Sequence, residues 1–155
     1  MDRPYKKIAC CIDNDDMAEE VLREGIRIAD GTLGALNVVH VLAPPHALIA
    51  SPFAYVAVME LRDEAEAWLE EVTREIPEAT KVLLEGPPAS EVCAWARRSG
   101  ADIIVAAARR GLLERTMLGG FASHIAYHAP CPVLLVHPPV ERAATAGATE
   151  GATGS

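Results

Sequence analysis

Short, uninterrupted apolar runs of strand length recur along this chain, with segments of helical period between them. Lys7–Ile12 (KIACCI) has no polar face. A strand with one wet side would alternate. A run apolar on both sides belongs in a parallel sheet with helices over each face. Leu36–Leu42 (LNVVHVL), Thr80–Leu84 (TKVLL), Asp102–Ala107 (DIIVAA) and Pro132–His137 (PVLLVH) continue the series.

The intervening segments read as helices. From Met17 to Ala29, the residues Met17, Val21, Ile28 and Ala29 fall near one stripe, Asp16 and Glu19 have capping-box spacing, and Gly31 and Gly34 mark the end. Tyr55–Glu75 carries Val58, Leu61, Ala65, Trp68 and Val72 at three- and four-residue steps opposite an acidic face, and Pro77 stops it. Ala89–Arg98 follows Gly86-Pro87-Pro88, where a first helical turn accepts proline, and Gly100 closes it. The last helix covers Gly120–His128. The connection Ala43–Phe53 is apolar and proline-rich, without a clear period.

Strand and helix thus alternate through nine elements. The expectation is a single α/β domain over residues 1–138: a five-stranded parallel sheet with helices on both faces, wound by right-handed crossovers. From 139 to 155, Ala, Thr, Gly and Glu replace everything that packs, and that tail is expected to be disordered. The net charge of −8 argues against nucleic acid and anionic membranes as bulk partners. No apolar run approaches the length of a membrane span, and no signal-peptide pattern opens the chain, so cytoplasmic residence is expected.

Ligands of such sheets bind beyond the carboxyl ends of the strands, where the strand order reverses. Cys11–Asp15, Val41–Pro45 and Ala107–Gly120 should gather there. The strand ending at Ala107 opens into a glycine-bearing loop and then a helix, an arrangement whose free N–H groups and helix dipole suit phosphate. Cys10, Cys11, Cys93 and Cys131 lack CxxC spacing and read as small buried hydrophobes. Cys131, between two prolines, is not expected to be a nucleophile. His124 and His128 share a helix face at a spacing used by zinc sites, but no third ligand accompanies them. Asp13, Asp15 and Asp16 could belong to a metal-dependent phospho-acceptor. That reading needs an acid after a middle strand and a lysine after the last, where Glu85 and His137-Pro138 stand. Helix capping is the simpler role for Asp15 and Asp16. No Ser-His-Asp set or carboxylate pair emerges, so no catalytic residue, metal site or turnover is expected.

The segments YKKIACCID, LNVVHV, EGPPASEVCAWARRSGADIIVAAARRG and HAPCPVLLV, in that order and spacing, resemble the universal stress protein family from Tyr5 to Val136. The resemblance implies strand order 3-2-1-4-5 in a Rossmann-like sheet of the adenine nucleotide alpha hydrolase type. It also implies a homodimer in which the last strand, Pro132, Val133, Leu134, Leu135 and Val136, pairs with its mate. An apolar edge strand invites such pairing.

In nucleotide-binding members Gly-x-x-Gly, nine residues and Gly-Ser/Thr hold the phosphates. Here Ala108 stands at the first Gly, Gly111 at the second behind a basic Arg110, and Gly119 at the last. Seven residues separate Gly111 from Gly119, two fewer than the pattern. Gly120 replaces the hydroxyl residue and Ala122 a second one. Backbone N–H groups at Gly119, Gly120 and Phe121 remain, with Arg109 and Arg110 as charge. By resemblance Asp13, beside Cys11 and Ile12, lies on the adenosine side, Val41 packs on adenine, and Ala107 ends the strand at the pocket. The expected ligand is ATP or AMP, with Mg²⁺ only alongside ATP. The alternatives are a ligand-free homodimer that engages a partner through surfaces such as Ala43–Phe53, and a nucleotide-using hydrolase or transferase on a related sheet.

Overall fold

The computed structural model describes residues 5–108 and 119–139. The strands are β1 (Ile8–Cys11), β2 (Leu36–Leu42), β3 (Thr80–Glu85), β4 (Ile103–Ala107) and β5 (Val133–Val136). They form a parallel sheet, as the apolar runs predict, in the order β3-β2-β1-β4-β5 that the family resemblance implies. The helices are α1 (Ala18–Ala29), α2 (His46–Ile49), α3 (Ala54–Val72), α4 (Pro88–Ser99) and α5 (Gly120–His128). A 3₁₀ turn covers Leu33–Ala35. Among the described residues, no helix is long and apolar enough to cross a membrane.

The two-residue period of the strands divides the core in two. Ile8, Cys10, Leu36, Val38, Ile103 and Val105 point to the face covered by α1 and α3. Ala9, Cys11, Val39, Ile104 and Ala106 point to the other, under α4 and α5. β1 lies between β2 and β4 and is buried on both faces, which is why KIACCI has no polar side. On α1, Ala18, Val21, Leu22, Gly25 and Ala29 are buried against the sheet. Leu22 and Gly25 therefore belong to the stripe alongside Val21 and Ala29, while Ile28 is only half-buried.

Several boundaries differ from the periodicity. The connection Ala43–Phe53 holds a short helix, α2, and leaves Ile49 and Phe53 exposed, with Tyr55 exposed just beyond it. One turn is too short to show a period. Helix α3 ends at Val72 and not at Glu75, because after Thr73 the backbone bonds shorten to three-residue turns, Arg74 N–H to the Glu71 carbonyl (3.3 Å) and Ile76 N–H to the Thr73 carbonyl (2.9 Å), before Pro77. Helix α1 stops on Asp30, which itself takes the left-handed conformation (φ 44°) ahead of Gly31. The capping pair does not form. Met17 is the N-cap, without a side-chain cap, and Asp15 accepts the Met17 N–H (2.7 Å). Most of the expected tail, from residue 140, lies outside the described residues.

Candidate functional site

The chain leaves β1 over one face through α1 to β2, and leaves β4 over the other through α5 to β5. The two connections part at the carboxyl ends of β1 and β4, and a crevice results. A cleft of about 260 Å³ opens there, slightly under the roughly 300–1,000 Å³ usual for small-molecule sites.

Of the residues expected at a site, Cys11, Ile12, Asp13, Val41, Ala107, Gly119, Gly120 and Phe121 line this cleft. Ala108 does not. It is buried, and its N–H donates to the Val136 carbonyl (2.8 Å), extending the β4–β5 ladder. Arg110 and Gly111 lie outside the described residues. Met17, Val21, Val39 and Val92 add apolar wall, and His40 adds an imidazole. Those last five were not singled out for the site. In sequence they are strand and helix residues with nothing to mark them as lining.

The backbone at Val41 is the most distinctive part of the site. Gly86 N–H donates to the Leu42 carbonyl (3.0 Å), which assigns the even residues of β2 to the β3 side. The N–H and C=O of Val41 therefore face β1. There the ladder has ended: Ile12 N–H donates to the Val39 carbonyl (2.9 Å), and the next rung, from Val41 to Ile12, is not made. The Ile12 carbonyl instead meets His40 Nδ1 at 3.0 Å. A carbonyl only accepts, so Nδ1 carries the proton. Half-buried Val41 is left with a donor and an acceptor side by side on the wall of the cleft, open to a ligand or to water.

Asp13 stands at the mouth, its side chain largely exposed, with Oδ1 accepting the Asn14 N–H (2.8 Å) and lying 3.8 Å from His40 Nδ1. On the opposite wall α5 begins at Gly119. Its first helical bond runs from Ser123 N–H to the Gly119 carbonyl (3.0 Å), so no helical bond uses the N–H groups of Gly120, Phe121 and Ala122. A Cβ added at Gly120 would meet nothing within 4 Å.

Burial disfavours the thiolate form of the cysteines. Burial pushes the Cys10 thiol up to about 12. It raises Cys11 well above its ordinary range, with the neighbouring thiols adding to the effect. Burial also raises Cys131, and Asp102 and Cys93 push it further the same way. The His124 and His128 rings lie with centroids 4.5 Å apart and planes tilted by 45°. Among the described residues, no group of three or more His, Cys, Asp or Glu side chains is placed to hold a metal ion.

Known proteins resemble this chain in sequence and in fold. The sequence model of the universal stress protein family matches residues 4–137. A universal stress protein of Methanocaldococcus jannaschii is 33% identical over 145 residues, covering 87% of this chain and 84% of that protein. Among solved structures, a hypothetical protein whose biochemical function was assigned from its structure superposes with a TM-score of 0.75 at 21% identity, covering 87% of this chain and 97% of the other. A universal stress family protein of Arabidopsis thaliana with AMP bound superposes with a TM-score of 0.62 at 16% identity, covering 87% and 93%. This chain belongs to the universal stress protein family.

Proposed function

We propose that this protein acts in stress response by binding an adenine nucleotide, AMP or ATP, in the cleft at the ends of β1, β2 and β4, without turnover. The observation that carries the reading is the open N–H and C=O pair of Val41. Adenine presents a ring-nitrogen acceptor beside an amino donor on one edge, the complement of that pair, and its faces suit walls of Val39, Val92 and Phe121. The phosphates would lie toward the N-terminus of α5, whose free N–H groups and dipole favour anions. Mg²⁺ would enter only with ATP. That a structural neighbour of the same fold holds AMP supports the choice of ligand.

The site lacks hydroxyls at Gly120 and Ala122, which together cost about 1–3 kcal/mol of bonding to a charged phosphate. Titration of the protein with AMP, ADP and ATP, with and without Mg²⁺, is the direct test. At 100-fold the dissociation constant a ligand stabilises the fold by about 2.7 kcal/mol, which melting temperature reads. A flat melting temperature at millimolar nucleotide refutes the proposal. Because the space beside Gly120 is open, Gly120→Ser should fold normally and tighten AMP binding.

The second reading is a ligand-free homodimer joined through β5. It draws on Leu134, which is exposed on a strand at the sheet edge. Val133 and Leu135 pack against the core under α5, so charges there would disturb folding as well as assembly. Leu134→Lys is the cleaner probe. A folded monomer by light scattering supports the edge-strand dimer, and an unchanged dimer excludes it.

A further inference from the structure

His40 is one of few buried polar side chains among the described residues, together with Asn37 and Thr73. Asn37 bonds the Ile8 and Ala35 carbonyls, and Thr73, at the end of α3, bonds the Leu69 carbonyl one turn back. His40 differs in what it reaches. Its Nδ1–H crosses from β2 to the Ile12 carbonyl, the first group past the end of β1, while its ring edge packs on Trp68 of α3 (centroids 5.0 Å, planes at 66°). Trp68 holds the imidazole from behind, and the carbonyl holds it in front. A buried ring fixed at both ends has little rotamer freedom, which makes it an effective spacer.

We propose that His40 is the positioning residue of the cleft, holding the Ile12 carbonyl so that the β1–β2 ladder stops one rung short. Two consequences follow from the geometry. The Val41 N–H stays unpaired on the β1 side, available to a ligand. The chain also leaves β1 at a set angle, and Asp13 comes to rest 3.8 Å from the same Nδ1. From there the turn is secured by Asn14 N–H on Asp13 Oδ1 and Met17 N–H on Asp15 Oδ1. His40 thus acts on a ligand through Val41 and Asp13. This inference rests on the proposed nucleotide site for its ligand arm, but its backbone arm stands without one.

The test uses the position of the donor atom. Asparagine carries its N–H₂ on Cγ, where histidine carries Nδ1, whereas glutamine carries it one atom further out and leucine has none. His40→Asn should keep the Ile12 contact. His40→Leu and His40→Gln should lose it. In the protein without ligand, amide hydrogen exchange at Asn14, Asp15 and Val41 is the first readout. Exchange at Asn14 and Asp15 should accelerate about tenfold in His40→Leu and return toward wild type in His40→Asn, the scale of one lost hydrogen bond. Val41 should instead become protected in His40→Leu as the next rung closes. AMP affinity is the second readout, with inorganic pyrophosphate as a probe for the α5 end alone. AMP binding should weaken about tenfold in His40→Leu and recover in His40→Asn, with pyrophosphate binding unchanged in all variants. Equal effects of Asn, Gln and Leu on exchange, or no effect of any, overturn the proposal whether or not AMP binds. Wild-type protein that ignores AMP refutes the nucleotide site but leaves the exchange result to decide the role of His40. Equal losses of AMP and pyrophosphate would show a general structural role and overturn it too.

Discussion

Gly25→Ala tests how closely α1 lies on the sheet. A Cβ at this helical position would sit 2.9 Å from Cys10 Sγ, 3.1 Å from Leu36 Cδ1 and 3.3 Å from Cys10 Cβ. Cys10 and Leu36 are fully buried in β1 and β2. Relaxed carbon contacts lie at about 3.5–4.0 Å, so the helix must lift or the strands shift. Such overpacking costs about 1–3 kcal/mol. Alanine recovers about 0.8–1.0 kcal/mol through helix propensity. The balance is a destabilisation of about 0–2 kcal/mol, with each kcal/mol worth roughly 2–4 °C of melting temperature at this size. Urea unfolding followed by circular dichroism measures it.

A double-mutant cycle with Cys10→Ala isolates the cause. Cys10→Ala removes the nearest atom, Sγ, along with its weak 3.4 Å contact to the Val21 carbonyl. On that background Gly25→Ala should become neutral or stabilising, and the two changes should couple by about 1–2 kcal/mol. Additive effects, or a Gly25→Ala single variant stabilised by the full propensity term, would refute close approach as the reason for glycine.

The remaining predictions concern the thiols and the base of the sheet. An unfolded Cys10 ionises near its ordinary 9.0 and the folded one near 12, so in that window the unfolded state binds fewer protons and stability falls as pH rises. The loss from Cys10 is on the order of 4 kcal/mol between pH 9 and 12, and alkaline unfolding should shift to higher pH in Cys10→Ala; an identical profile would contradict it. In native protein a thiol reagent should reach Cys131 first, since Cys10, Cys11 and Cys93 are buried, which mass spectrometry of the labelled peptides checks. Asp102 Oδ2 accepts the N–H groups of Lys6 (2.7 Å) and Lys7 (2.8 Å) and ties the start of β1 to β4. Asp102→Ala should cost about 1–3 kcal/mol in urea unfolding, and Asp102→Asn less, since it keeps an acceptor.

Much of this architecture is visible in local pattern. Runs apolar on both sides place β1 and β4 inside a parallel sheet, and the alternation with helices follows from the spacing of Gly and Pro. The fold class read from residues 5–136 agrees with the structure because a two- or 3.6-residue period reports burial directly, whereas the strand order, which no period encodes, came from the family resemblance. The cleft is partly visible for the same reason. Asp13, Gly119 and Gly120 interrupt apolar runs at strand and helix ends, where a sheet of this kind holds its ligands.

What only the tertiary structure decided are contacts between residues far apart in the chain. His40 reads as one polar letter in the strand LNVVHVL, yet its ring bonds a carbonyl 28 positions earlier. The open backbone of Val41 depends on where the β1–β2 ladder stops, and a main-chain group has no signature in composition. Gly25 looks like a weak point in a helix until Cys10 and Leu36 arrive beneath it. Sequence by itself determined the five strands and the four longer helices, because each of those elements has a local period, but not the single turn α2. The geometry of the site came from register and close packing between elements, which no single segment encodes.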